Sequence, residues 1–163
     1  MAYKAIVVVL STKGAKGERV DLVGPAVSER LLQAGYVTAP TIIVTDDRAL
    51  IVETLVNLVD SQGLDLVLTS GGTGLSPSDV TPEATLEVVD RVIPGLAEAM
   101  RAAGRAITPH ADLSRAVAGQ RRQSLIINLP GSPKGALENL DILLPSLIHA
   151  LDKIKGDPRD CAR

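Results

Sequence analysis

The sequence predicts an α/β protein, a three-layer α/β/α sandwich around a mostly parallel sheet, on three observations. Short runs of strand length alternate along the chain with amphipathic helical patterns. The runs KAIVVVL (4–10), TIIVT (41–45), LDLVLT (64–69) and SLIIN (124–128) are near-continuously apolar and rich in β-branched residues, as strands covered on both faces are. Proline, hydroxyl and glycine signals for helix starts and stops separate them.

Each element follows from its own residues. After the first strand, Lys13, Gly14, Lys16 and Gly17 make a basic, flexible loop. Positions 21–34 read as a helix, with Pro25 near its start, Leu31 and Leu32 late, and Gly35 as the stop. Between the second and third strands, Leu50, Ile51, Thr54, Leu55, Leu58 and Val59 recur at helical spacing, so a helix is predicted over 47–62. Thr81-Pro82-Glu83 reads as N-cap, first-turn proline and acidic first turn of a helix running to about Val92. Another helix is predicted from Pro94 to about Arg105. Residues 106–122 are the least regular and read as a short strand pair or extended arm. After the last strand, Ser132 and Pro133 repeat the cap-and-proline signal. Leu137, Leu140, Leu144, Leu147, Leu151 and Ile154 then form one helical stripe, which Pro145 should kink or loosen. Residues 1–155 read as a single domain and 156–163 as a fraying tail.

Composition limits the possible partners. The chain has 163 residues, 45% of them hydrophobic, enough for one real core. Seventeen basic against nineteen acidic residues give a formal charge of −2, so neither nucleic acid nor an anionic membrane is attracted in general. With no Trp, no Phe and only Tyr3 and Tyr36, there is no stacking platform for single strands. AIVVVL (5–10) is too short to span a bilayer, and the expected compartment is the cytoplasm. Cys161 stands alone and can form no internal disulfide. His110 and His149 are far apart in sequence and read as surface or packing residues, so no Cys/His metal cluster is predicted.

In open α/β folds ligands bind beyond the carboxyl ends of the strands. Three such ends carry notable chemistry here: Thr45-Asp46-Asp47, Thr69-Ser70-Gly71-Gly72-Thr73-Gly74 and Asn128-Leu129-Pro130-Gly131-Ser132. Gly71, Gly72 and Gly74 allow positive φ and a close backbone approach, so their amides can form a phosphate nest. Neither GxxxxGK[ST] nor GxGxxG is present. On the residues alone, the loop is either a structural turn or a ligand loop. Asp79 is either a Mg²⁺ ligand beside that loop or part of a local turn. Of Asp46 and Asp47, one is expected to cap the following helix. The first, Asp46, is better placed to face the cleft.

The segments GGTGLSPSDVTPEAT (71–85), LSRAVAG (113–119), LIINLPGSPKG (125–135) and GERVDLVGP (17–25) together resemble the MogA/MoaB-like molybdenum cofactor biosynthesis family, the molybdopterin adenylyltransferases. The resemblance runs from about residue 3 to residue 155. It implies the α/β/α fold of that family and a homotrimer or hexamer. The implied reaction is Mg²⁺-dependent transfer of AMP from ATP to the terminal phosphate of molybdopterin, with release of pyrophosphate. It further implies that Asp46 and Asp79 are the catalytic and metal-binding acids. Gly71, Gly72, Thr73 and Gly74 would line the nucleotide and phosphate pocket, Ser114 would bind the pterin, Arg115 would neutralise phosphate, and Ser132 would close the cleft. A metal-insertion protein is the implied recipient of the product. One departure stands out: the family's Arg before the motif acid is Ser78 here, which leaves Arg115, Arg121, Arg122, Lys13 and Lys16 as candidate cations. The alternative reading is a catalytically silent, pterin-binding assembly protein of the MoaB type.

Overall fold

The computed structural model describes residues 2–159; Cys161 lies outside them. Among the described residues, seven strands form one sheet. Its centre is β1 (Lys4–Leu10), β4 (Leu66–Ser70) and β7 (Ser124–Leu129), all parallel. The short strands β2 (Val37–Thr38) and β3 (Ile42–Val44) both pair in parallel with β1. On the other side, β6 (Ala118–Arg121) pairs antiparallel with β7, and β5 (Arg91–Val92) pairs antiparallel with β6.

The apolar runs are continuous because the sheet is covered twice. Ala5, Val7 and Val9 of β1, with Leu66, Leu68, Leu125 and Ile127, face one core. That core is closed by α2 (Val23–Gln33), α5 (Pro94–Arg105) and α6 (Pro133–Ile154), through Val27, Leu31, Met100, Leu140, Leu143, Leu147 and Leu151. The alternate residues Ile6, Val8, Leu10, Val67 and Ile126 face a second core. There α3 (Arg48–Val56) and α4 (Thr81–Val88) contribute Ile51, Leu55, Ala84 and Val88. Successive strand residues point to opposite faces, so two cores on one strand mean three layers, as the sequence predicts.

Several boundaries differ from expectation, each for a local reason. The helix at 81 ends at Val88, not near Val92. Asp90 and Ile93 donate their amides to the carbonyls of Gln120 and Ala118, and the residues between them join the sheet edge as β5. The helix predicted over 47–62 is α-helical only to Val56 and continues as a π-helical turn, Asn57–Ser61. The stretch 106–122 holds a 3₁₀ turn, Pro109–Leu113, and then β6, the first arm of a hairpin whose turn places Arg122 at φ 49°. The basic loop after β1 includes one helical turn, α1 (Thr12–Ala15). Pro145 lies inside α6, which runs unbroken through it.

Asn128 ties the layers together. It is fully buried, its Nδ2 donates to Thr69 Oγ1 on β4 and Thr85 Oγ1 on α4, both at 2.9 Å, and its Oδ1 accepts from the Val117 amide at 3.1 Å. Removing it leaves two buried hydroxyls without their donor. Asn128→Ala should therefore cost about 3 kcal/mol of unfolding free energy, read from urea denaturation. A loss below about 1 kcal/mol would show that the network does not hold α4 to the sheet.

Candidate active site

The parallel strands bring the three predicted strand ends to one edge. Leu10 pairs with Val44, Val9 with Ser70, and Ser70 with Leu129, so the segments after β3, β4 and β7 emerge side by side. Two glycines permit the closest approach. A Cβ on Gly71, at φ 106°, would lie 2.6 Å from the Leu10 carbonyl oxygen, and one on Gly131 would lie 3.3 Å from Gly71 Cα. The loops after β4 and β7 are in backbone contact.

The glycine loop is oriented by its carbonyls. Gly71 O accepts from the Thr81 hydroxyl at 2.9 Å, and Gly72 O from the Thr81 amide at 3.2 Å. Thr73 O accepts from the Arg115 amide at 2.9 Å, and Gly74 O from Arg115 Nε at 2.7 Å. In a trans peptide the N–H points opposite to the C=O. Four anchored carbonyls therefore turn the amides of residues 72–75 away from Thr81 and Arg115. Among the described residues, no protein group accepts from those four amides. Consecutive outward amides with Gly72 at φ 65° form an anion nest. The Gly71 amide is not part of it, because it donates to Leu129 O at 3.1 Å.

Both predicted acids flank this nest. Asp46 Oδ2 accepts from the amide of Thr12 at 2.9 Å and its hydroxyl at 2.7 Å, while Oδ1 lies 3.6 Å from where a Cβ on Gly72 would stand. Asp79 Oδ2 accepts from the Ser76 amide at 3.0 Å and borders Gly74, whose Cβ would meet it at 2.9 Å. Asp79 thus does close a local turn, with one carboxylate oxygen only. Each acid is held through Oδ2 and keeps Oδ1 for other work. Asp47 is the helix cap, accepting from the Leu50 amide at 2.9 Å, as expected of one of the two acids.

Four of the predicted residues line one cleft, while Asp46, Asp79, Gly71 and Gly72 line neither that cleft nor a second, smaller one. Thr73, Gly74, Ser114 and Ser132 share a cleft of about 310 Å³ with Met100, Ile107, His110 and Glu138. Ser132 also caps α6, accepting from the Gly135 amide at 3.1 Å. Beyond Gly131 a second cleft, about 170 Å³, is lined by Ser11, Gly14, Arg19, Asp21 and apolar groups including Val20 and Ile43. Arg115 turns inward: besides Gly74 it donates to Asp79 O at 2.6 Å and pairs with Glu83. Arg121 is remote, paired at 2.6 Å with Asp60, which Arg122 also approaches at 3.2 Å. Of the five candidate cations that leaves Lys13 and Lys16, both on the loop that carries Thr12, the partner of Asp46.

Sequence reasoning misses two residues. The Thr-Pro-Glu start predicts Thr81 as the N-cap, but Val80 occupies that position, and the buried Thr81 hydroxyl serves the glycine loop instead. The same three residues are the signature of both roles. Thr12 carries no signal, because its partner Asp46 is distant in sequence.

Magnesium is held in proteins by one or two carboxylates plus substrate phosphates. Two acids, each with one carboxylate oxygen to offer, beside a nest for phosphate oxygens fit that donor set. Among the described residues there is no group of three metal-binding side chains.

Residues 6–149 match the family model described as a probable molybdopterin binding domain. The chain is 42% identical over 151 residues to a molybdopterin adenylyltransferase of Helicobacter pylori strain J99, covering 90% of this chain and 85% of that one. It is 44% identical over 136 residues to the molybdopterin adenylyltransferase of Escherichia coli K12, covering 81% and 69%. Its structure is similar to that of the molybdopterin biosynthesis enzyme MoaB of Thermus thermophilus, with 48% identity, TM-score 0.90, and 97% and 99% of the two chains covered.

The Arg115 hydrogen bond holds the Glu83 carboxyl below its ordinary value of 4.5, against the opposing effect of burial. A lowered folded value means the unfolded chain binds the proton first. The stabilisation is therefore full above the ordinary value and lost as pH falls through the lowered one. The melting-temperature difference between wild type and Glu83→Gln should shrink on acidification from about pH 6 to about pH 3. A difference that grows would overturn the ion-pair assignment.

Proposed function

The chain belongs to the molybdopterin-binding family of molybdenum cofactor biosynthesis, and from that premise we propose that it is a molybdopterin adenylyltransferase, a nucleotidyltransferase. The observation that carries the reading is the row of outward amides between Asp46 and Asp79. It supports a site built to hold phosphate oxygens and a cation together.

In the reaction, an oxygen of the pterin's terminal phosphate attacks the α-phosphorus of ATP. A new P–O bond forms, the bond from the α-phosphorus to the bridging oxygen breaks, and pyrophosphate departs with its electron pair. The attacking oxygen is already anionic, so no general base is needed. The work of the chain is positioning and charge stabilisation. Gly131 borders the smaller cleft and its neighbours Pro130 and Ser132 border the larger, so the two lie on either side of one loop, one for each substrate. Following the family role of Ser114, the larger holds the pterin. The smaller then takes the adenosine. The amides of 72–75 hold phosphate oxygens. Thr12 holds Asp46, and the Ser76 amide holds Asp79, through Oδ2, which leaves each Oδ1 for a cation. Asp46 and Asp79 would hold Mg²⁺ through their Oδ1 atoms, and the ion would supply positive charge to offset the leaving pyrophosphate. Lys13 and Lys16 supply the cationic charge that Ser78 does not.

The enzyme works in the cytoplasm as a homotrimer or hexamer and passes its adenylylated product to a metal-insertion protein. Exposed apolar side chains outside both clefts, Leu32 on α2 with Ile142 and Ile148 on α6, support self-association. Light scattering should return three or six chains per particle; a monomer overturns this.

With ATP, Mg²⁺ and molybdopterin, pyrophosphate release should require all three. Binding of pterin without release would instead establish the silent, assembly-protein reading, and release without pterin a hydrolase. Asp79→Asn and Asp46→Asn should each keep the wild-type melting temperature and lower turnover about a hundredfold or more. Wild-type turnover in either variant removes that acid from the mechanism.

A further inference from the structure

The glycine loop and its acid share one cation that never reaches the nest. Arg115 donates through Nε to Gly74 O and through Nη2 to Asp79 O, pairs through Nη1 with Glu83, and gives its own amide to Thr73 O. Its three guanidinium nitrogens are thus all directed at the protein. Its partners sit on the three pieces that must stay in register: the loop, the acid and the first turn of α4.

We infer that the Arg115 side chain is a positioning group for adenylyl transfer, fixing the Leu75 amide and, through the Asp79 backbone carbonyl, the Asp79 carboxylate in one frame, with Glu83 holding the guanidinium in place. The inference rests on the adenylyltransferase reading, and it replaces direct phosphate neutralisation as the role of this arginine. The physical reason is rigidity. A planar fork with fixed donors holds two carbonyls at a set angle, which a flexible ammonium does not. Thr81 anchors the first half of the loop, the backbone amide of residue 115 holds Thr73 O and the guanidinium holds Gly74 O, so losing the side chain frees only the last peptide, next to Asp79. Glu83 belongs to the same unit because it is the counter-charge that keeps the fork from swinging outward toward a polyanion. An arginine that touched phosphate would need those donors facing the cleft.

The test compares Arg115→Lys, Glu83→Gln and the double variant. Turnover should fall about a hundredfold in Arg115→Lys and on the order of tenfold in Glu83→Gln, with KM for ATP and molybdopterin within about twofold of wild type. The double variant should be no slower than Arg115→Lys, because the two side chains act as one unit. Amide NMR supplies a readout independent of activity: the Leu75 signal should move, while those of Gly72 and Thr73, set by Thr81, and of Gly74, set by the backbone amide of residue 115, stay. A raised KM with turnover preserved would establish direct substrate contact and overturn the inference. So would effects that multiply in the double variant, or amide signals that do not move selectively. If Arg115→Lys fails to fold, Glu83→Gln carries the same decision through the same readouts. A wild type that moves no AMP defeats the adenylyltransferase reading, while the amide signals still decide whether Arg115 sets the loop.

Discussion

The site depends on the direction of four peptide groups. A carbonyl and the amide behind it share one plane, so a partner that captures the oxygen also aims the hydrogen. Thr81 and Arg115 capture four successive oxygens of the glycine loop, and the amides of residues 72–75 are aimed as a consequence. Glycine matters because this path needs positive φ at 71 and 72 and lets backbone pass within contact of Leu10 and Gly131. The nest is therefore a product of tertiary structure. Without α4 to deliver Thr81 and the segment before β6 to deliver Arg115, the same glycines would be a mobile turn.

The sheet makes that delivery accurate. β1, β4 and β7 are buried on both faces and in register, so the loops leaving them start from fixed points. Asn128 then fixes α4 against β4 and β7 from inside the core, just below the loop that α4 must meet. A buried amide with three partners has one orientation in which all are satisfied, which is how a polar residue specifies geometry where an apolar one would only fill space. Rigid strands below and anchored carbonyls above supply the fixed framework that the proposed transfer between two phosphates requires.

Much of this is legible in the sequence. Near-continuous apolar runs identify both faces of the strands, and the alternate packing of residues 5–10 is their direct expression. The separation of roles between Asp46 and Asp47 is also readable, because a helix needs one cap and two acids are present. What escapes is non-local. The strand at Arg91–Val92 exists only because β6 lies beside it, and a helix pattern running into VVDRV contains no trace of that partner. Thr81 is misassigned because threonine before Pro-Glu is a good cap by local rules, and only burial against Gly71 shows what its hydroxyl does. Arg115 invites a reading by charge, as arginine near a phosphate loop does. Its function instead follows from its donors, which are taken by carbonyls and by Glu83.

The electrostatics of the nest bear on why acids stand there at all. Outward amides attract anions, and two carboxylates beside them repel anions, so the two halves of the site oppose each other for phosphate alone. A chain with a formal charge of −2 offers little general field to settle the conflict. The opposition disappears if a divalent cation arrives with the phosphate, because the acids then bind the cation while the amides bind the oxygens. On the proposed reading, such a site would favour a metal-bound polyphosphate over free phosphate without a dense basic patch. The replacement of the family arginine by Ser78 fits this logic, since each positive side chain removed from the rim leaves more of the selection to the carboxylates and the loop. Arg115, turned inward, adds order to that arrangement without adding a competing cation to it.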